Sequence, residues 1–306
     1  MADFLDITLE CNGQTLTFGK SESGDKREFG ITNITGLESS DLDLNTIDNA
    51  LVDGTIVDGK RIEKRPVHID ARLLDDTNNA ENRQRIIKFF NPKYTGTMTV
   101  NHSGTQRKIE YELDGWTFVS KKTIYSRLEI SVDLLCPDPF MQNMDNFGKN
   151  MAEKVALFAF PWRVLTKKVS GVSDPYKGLA LAGQVSGYQL INKSVAISND
   201  GDVPCGLQIK FVAARGPCTG PKITHVSSGQ YMHVNITMSQ DDVLLIDTSD
   251  RNQIIELNGT NVYQYIDRLS EPFKLDVGEN YLEYEADEKE PNLDVYLYYT
   301  PLYLGV

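Results

Sequence analysis

Histidines, cysteines and clustered carboxylates are the side chains of this sequence best suited to proton transfer, nucleophilic attack or metal binding. The chain carries four histidines and four cysteines. Cys205, Cys218, His225 and His233 could be imagined as a zinc set, at Cys-x12-Cys-x6-His-x7-His spacing. Structural zinc sites take ligands in close pairs, because one tight turn then presents two of them to the same side of the metal. No close pair is present, so these residues read as isolated core or loop positions. His68 and His233 fall on the polar faces of expected strands, and His102 and His225 lie beside turn residues; all four read as solvated surface histidines. Asn199-Asp200-Gly201-Asp202 has the opening of a calcium loop, but position 210 is Lys rather than an acidic end ligand. It reads as a tight turn between a strand ending near Ser198 and one starting near Val203. Asp75-Asp76 and Asp241-Asp242 are two of several adjacent carboxylate pairs, and neither stands out as a glycosidase pair. The sequence has no Gly-x-Ser-x-Gly elbow, no His-Glu-x-x-His helix and no phosphate-binding loop. Neither a cofactor nor a metal is expected, and the chain does not read as an enzyme.

One aromatic run remains open to two readings. Val295-Tyr296-Leu297-Tyr298-Tyr299-Thr300-Pro301-Leu302-Tyr303 could stack saccharide rings, or it could pack both faces of a sandwich strand.

Composition narrows the class. Asp and Glu number 43 against 31 Lys and Arg over 306 residues, a net charge of −12. Nucleic-acid gripping needs a basic footprint, so sequence-specific nucleic-acid binding is not expected. No apolar run reaches the roughly 20 residues of a membrane helix, and MADFLDITLE has no signal-peptide pattern. Few, scattered cysteines fit assembly in a reducing cytosol.

The elements that must position these residues are mostly strands. Val67, Ile69, Ala71 and Leu73 alternate with His68, Asp70 and Arg72; similar alternation runs over 108–113 and 128–134. A helix is expected over Asn78–Phe90, with Asn78 and Glu81 as a capping box and Ile86, Ile87 and Phe90 as its apolar stripe; Asn91-Pro92 ends it. A weaker helix is expected from Asn143 to Phe158. Cys136-Pro137-Asp138-Pro139 suits a stiff connection. Residues 156–164 form an apolar strand candidate, and 170–187 are rich in Gly and Ser. From about Tyr188, strands are expected at 193–198, 207–212, 233–238, 242–247, 253–257, 273–275, 280–285 and 294–300, a β-sandwich or jelly-roll pattern. This divides the chain into an N-terminal domain 1–137, an extension 138–187 and a C-terminal domain 188–306.

Leu51-Val52-Asp53-Gly54-Thr55-Ile56-Val57-Asp58-Gly59-Lys60-Arg61-Ile62, running on to Arg65, contains two Asp-Gly turn signals. That is hairpin chemistry, yet its arms carry few apolar residues to bury. It either projects toward another chain or forms an exposed loop. Arg61 and Arg65 flank its base and are candidates for inter-subunit ion pairs. Trp116, after an Asp-Gly pair, is expected in the core.

Several short motifs follow one another along the chain. These are Gly54–Gly59-Lys60-Arg61-Ile62 with Arg65-Pro66-Val67-His68-Ile69, Phe89-Phe90-Asn91-Pro92-Lys93, and Leu134-Leu135-Cys136-Pro137-Asp138-Pro139-Phe140. Farther along come Phe158-Ala159-Phe160-Pro161, Asn199–Asp202, Leu245-Ile246-Asp247-Thr248 and Leu275-Asp276-Val277-Gly278-Glu279-Asn280. In this order they resemble the distal tail protein (Dit) family of long-tailed, non-contractile bacteriophages. The resemblance implies a mainly β fold: an N-terminal β-sandwich or split-barrel-like domain with one α-helix and a projecting belt hairpin, Leu51–Arg65, and a C-terminal galectin-like jelly-roll sandwich. It implies a structural hub at the virion tail tip, assembled in the host cytoplasm as a homo-hexameric ring. Its implied partners are the tail tube protein, a tail-associated lysin, baseplate or receptor-binding protein, and the tape-measure protein, with no membrane. A ring lumen of low or negative charge would suit passage of tape-measure protein and DNA. A carbohydrate-binding module that attaches to host cell-wall saccharide is the alternative function.

Overall fold

The computed structural model describes residues 4–48, 53–75, 77–119, 127–151, 153–156, 159–160, 184–185, 188–192 and 194–306. They form two compact units. Unit 1 comprises Met1–Asn146, Gly201–Val203 and Thr300–Val306; unit 2 comprises Phe147–Asp200 and Pro204–Tyr299.

Unit 1 holds β1 (Leu5–Cys11), β2 (Gln14–Gly19), β3 (Phe29–Thr35), β4 (Leu42–Asp48), β5 (Thr55–Ile62), β6 (Arg65–Leu73), α1 (Asn79–Phe89), β7 (Gly96–His102), β8 (Thr105–Phe118), β9 (Glu129–Cys136) and β10 (Met141–Asn143). The order β8-β7-β1-β2-β3-β6-β9 closes through a β8–β9 pairing into a seven-stranded barrel. Closure depends on the length of β8. Its first half, Thr105–Tyr111, pairs with β7, and its second half, Glu112–Phe118, pairs with β9. A register shift between Leu113 and Gly115 bends the strand from one neighbour to the other, as bulges do at barrel corners. The one parallel contact among the barrel strands joins β2 to β3 at Phe18 and Phe29, whose rings stack at 4.9 Å. The expected alternation is present: Val67, Ile69, Ala71 and Leu73 are buried, as are Ile130, Val132 and Leu134. Trp116 packs against this core, 5.2 Å from the Phe90 ring.

The helix differs in detail from expectation. Asn78 makes no side-chain cap, so the capping box does not form. The buried stripe is Ile86 and Phe89, continued by Phe90 just past the helix end, while Ile87 is exposed. Residues 86 and 89 share a helix face; 86 and 87 do not.

Unit 2 holds β11 (Phe147–Asn150), β12 (Glu153–Ala156), β13 (Ala159–Phe160), β14 (Gln184–Val185), β15 (Tyr188–Asn192), β16 (Ser194–Asn199), β17 (Leu207–Val212), β18 (Cys218–His225), β19 (Tyr231–His233), β20 (Thr237–Met238), β21 (Val243–Asp247), β22 (Ile254–Leu257), β23 (Thr260–Asn261), β24 (Gly278–Glu288) and β25 (Asp294–Tyr299). One sheet runs β11-β25-β17-β21-β22-β23 and the other β16-β24-β18-β19, with β20 on β18. Each buries alternate residues, Leu207, Ile209, Phe211, Leu244, Ile246, Val295 and Leu297 in the first, and Ile197, Ile223, Leu282 and Tyr284 in the second. The remaining short strands pair as β12-β15 and β13-β14.

Three expectations need correction. Residues 143–156 form strand segments β10, β11 and β12, not a helix. Expected strand 273–275 reduces to a single bridge, Leu275 to Cys205. Expected strand 233–238 splits into β19 and β20, because the Asn235 and Ile236 amides donate to the Tyr265 and Val234 carbonyls instead of to a ladder partner. Of strand candidate 156–164, residues 157–158 and 161–164 lie outside the described residues, as does most of 170–187.

Candidate assembly interface

Among the described residues, β4 and β5 form a two-stranded sheet of their own, joined to no other strand. The hairpin therefore begins at Leu42, one arm earlier than its Asp-Gly signals suggest. Asp53-Gly54 lies at its tip, where Gly54 adopts φ +100°, a conformation that favours glycine. Leu51 and Val52 fall outside the described residues. Asp58-Gly59 is not a turn. Asn45 pairs Gly59 and Thr46 pairs Val57, which leaves Asp58 as the extra residue of a bulge. At the base, the Glu63 amide donates to the Asp41 carbonyl at 2.8 Å.

The ladder assigns the hairpin two faces. Leu42 opposite Ile62, Leu44 opposite Lys60 and Thr46 opposite Val57 lie on one face; Asp43 opposite Arg61, Asn45 opposite Gly59 and Ile47 opposite Ile56 lie on the other. Leu42 (59%), Leu44 (46%), Ile47 (52%), Ile56 (61%) and Val57 (45%) are large apolar side chains left in water. Isolated two-stranded hairpins are marginal in water, and an uncovered apolar strand edge is an association site. Arg61 stands on the exposed hairpin.

Arg65 does not. It is fully buried, so it is unavailable for the expected ion pair with another chain. It starts β6, where inward alternation turns it into unit 1. Its Nε donates to the Pro139 carbonyl at 2.8 Å, its Nη1 to the carbonyls of Gly36 at 2.8 Å and Leu37 at 3.1 Å, and its Nη2 to the Leu304 carbonyl. Burial lowers its pKa from the ordinary arginine value. The guanidinium thus ties the loop before the hairpin and the segment after Cys136 to the C-terminal strand Leu302–Tyr303, which itself pairs with β10.

The side chains with possible chemistry are scattered. Cys205 and Cys218 are buried; burial pushes the Cys205 thiol pKa up to about 11, which makes it a poor nucleophile. His225 corrects the surface reading: it is buried, hydrogen-bonded at 2.7 Å to Ser228 Oγ and at 3.1 Å to Asn280 Oδ1, and stacked on Phe273. His233 lies on the outer face of β19, 3.2 Å from Asp287. Cys218 and His225 stand at opposite ends of β18, roughly 23 Å apart at the usual strand rise, too far to share a metal. Among the described residues, no group of three or more His, Cys, Asp or Glu side chains is placed to hold a metal ion. Asp75 bonds the Thr77 amide and hydroxyl, and Asp242 bonds the Ser239 amide and the Asn258 side chain; both are turn carboxylates. In the Asn199–Asp202 turn, Asn199 Nδ2 donates to the Leu275 carbonyl at 3.1 Å and Ser198 Oγ to Asp200 at 2.6 Å. His68 lies on the outer face of β6, with Asp133 at 2.6 Å and Asp70 at 3.2 Å. The Asp133 hydrogen bond is the leading reason its pKa is raised.

Residues 200–303 match the siphovirus-type tail component, C-terminal domain. Over 97% of its length the chain superimposes on 99% of the SPP1 Dit (gp 19.1) protein, described as a paradigm of hub adsorption apparatus in phages infecting Gram-positive bacteria, at TM-score 0.65 and 13% identity. A phage P2 baseplate chain in its activated, calcium-bound conformation is similar at TM-score 0.47 and 10% identity, covering 98% of both chains. No curated protein sequence matches. Residues 200–303 thus carry a siphovirus-type tail component C-terminal domain, and the chain as a whole has the mainly β fold of the SPP1 Dit protein.

Proposed function

We propose that this protein is a structural, non-catalytic hub of a long-tailed phage, located at the virion tail tip. Copies assemble head-to-tail into a closed ring, a homo-hexamer, that joins the tail tube to the tail-associated lysin or receptor-binding apparatus. The reading rests above all on the hairpin Leu42–Ile62. Among the described residues it pairs with no other strand, and its outer edges and the exposed apolar side chains on its two faces await a neighbour. A second copy supplies that neighbour by strand addition, and a rotation that closes gives a ring rather than a filament. Each protomer is then held on two sides, so modest contacts suffice. In this reading residues 53–62 of the belt are carried by β5 and the tip, and β4 supplies the other arm.

Light scattering coupled to size exclusion tests it. The expected mass is near six protomers. The doubly substituted Leu44→Asp, Val57→Asp chain should elute as a monomer that still unfolds cooperatively, because neither side chain is buried in its own subunit. A wild-type monomer at tens of micromolar, or a ring unaffected by these changes, would reject the belt.

A further inference from the structure

The outer face of the six-stranded sheet in unit 2 bears a cleft of about 430 Å³ lined by Gln208, Lys210, Leu245, Glu256 and Tyr298, among others. The registers arrange these side chains in two adjacent rows. Tyr298 lies opposite Gln208 and then Asp247; Tyr296 lies opposite Lys210, then Leu245, then Glu256. Their neighbours along each strand, Leu297, Ile209, Leu244, Ile246 and Ile255, are buried, so these rows point away from the core. The ring of Tyr298 is laid down by its partner on β11. A Cβ on Gly148 would come within 2.9 Å of Tyr298 Cε1, so the ring rests across the glycine backbone. Tyr298 is half-buried, so part of the ring stays in contact with solvent.

The polar residues around it are uncommitted. Gln208, Lys210, Glu256, Tyr296 and Tyr298 make no side-chain hydrogen bond or ion pair among the described residues, while Asp247 and Asn258 are occupied holding turns. The free set combines an amide, an ammonium, a carboxylate and phenolic hydroxyls around an aromatic plate and the Leu245 side chain. Its charges, Lys210 and Glu256, balance.

We infer that this face is a saccharide-binding site, which takes a neutral oligosaccharide by stacking a pyranose ring on Tyr298 and bonding its hydroxyls to Gln208, Lys210 and Glu256. A pyranose offers one apolar C–H side and a rim of hydroxyls that both donate and accept. An aromatic plate flanked by free donors and acceptors matches both features. Tyr296 and Tyr298 are about 7 Å apart along the strand, so a second ring can follow the first. The balanced charge disfavours polyanionic wall polymers. The residues of this site belong to unit 2, those of the hairpin to unit 1.

The test uses the full chain and saturation-transfer NMR with four neutral probes (chitotetraose, maltotetraose, cellotetraose and a rhamnose tetrasaccharide), and with poly(glycerol phosphate) as the anionic counter-probe. At least one neutral probe should bind. Tyr298→Ala should weaken it at least tenfold, and Gln208→Ala and Glu256→Gln, at half-buried positions whose side chains make no hydrogen bond among the described residues, by three- to tenfold each. Tyr281→Ala, on the other sheet, should leave binding unchanged. Far-UV circular dichroism checks that each variant is folded. Absence of binding by every neutral probe, binding that survives Gln208→Ala with Glu256→Gln, or preference for the phosphate polymer would each overturn the assignment.

Discussion

Replacing Arg65 by Met removes a guanidinium that holds four carbonyls, on Gly36, Leu37, Pro139 and Leu304, while keeping most of the side chain's apolar bulk. Hydrogen bonds to a charged group contribute about 1.5–3 kcal/mol each, and an orphaned buried carbonyl costs about 1–3 kcal/mol. Simple summation over four bonds would overshoot. Burying the charge opposes it, as the lowered pKa of Arg65 records, and that desolvation penalty amounts to several kcal/mol. The net loss expected is about 3–5 kcal/mol, a large share of the 5–15 kcal/mol that stabilises an ordinary domain. Arg65→Lys keeps the charge but offers three donors to four acceptors from a point rather than a fork, so it should fall between. Urea unfolding followed by circular dichroism and calorimetry reads the change. A chain ending at Thr300 lacks the Leu304 acceptor, and its loss should be less than additive with Arg65→Met, because the two share one bond. An Arg65→Met destabilisation below about 1 kcal/mol, or strict additivity with the truncation, would refute the claim that this guanidinium clamps unit 1.

Three further outcomes follow from unit 1. The Tyr111 hydroxyl is buried without a hydrogen-bond partner among the described residues, so Tyr111→Phe should leave stability unchanged or raise it by up to about 1 kcal/mol; a clear loss in urea midpoint would mean the hydroxyl is satisfied. Gly96→Ala places a Cβ 2.2 Å from Tyr111 Cζ and should cost about 1–3 kcal/mol by overpacking; an unchanged midpoint would contradict the close approach. His68 has a raised pKa, chiefly through Asp133. Its stabilisation is therefore fully present below its unfolded pKa of about 6.5 and fades as pH rises through the higher folded value. His68→Gln should cost stability at pH 5.5, by at most about 1 kcal/mol for so exposed a group, and little at pH 8.5; a loss larger at pH 8.5 would reverse the assigned sign. Cysteine chemistry gives the last check. All four thiols are buried, and burial lifts the Cys136 pKa to about 12, so Ellman's reagent at pH 8 should titrate none until the protein is unfolded.

Period-two alternation made β6, β9, β17, β21 and β25 readable from the chain, because one face of each strand is buried and the other is wet. The ordered motifs also resemble those of the distal tail family. Other elements carried no local signal. β18 contains Gly220 and Pro221 in its interior, residues that ordinarily argue against a central strand. Tertiary contacts allow them: Gly220 leaves room for Asp287, and the Pro221 carbonyl accepts from Val234. The Asp58-Gly59 pair has the local chemistry of a turn, and only pairing with β4 makes it a bulge. Arg65 reads as a surface cation by type, and only β6 together with the C-terminal strand turns it into a buried clamp. The Tyr296–Tyr298 alternation marked an aromatic strand, yet which ring faces water depends on β17, β21 and Gly148, from three separate stretches of the chain. The sequence by itself determined where strands alternate, since that depends on neighbouring residues. Tertiary structure decided which edges, charges and rings were left without partners, since that depends on residues far apart in the chain.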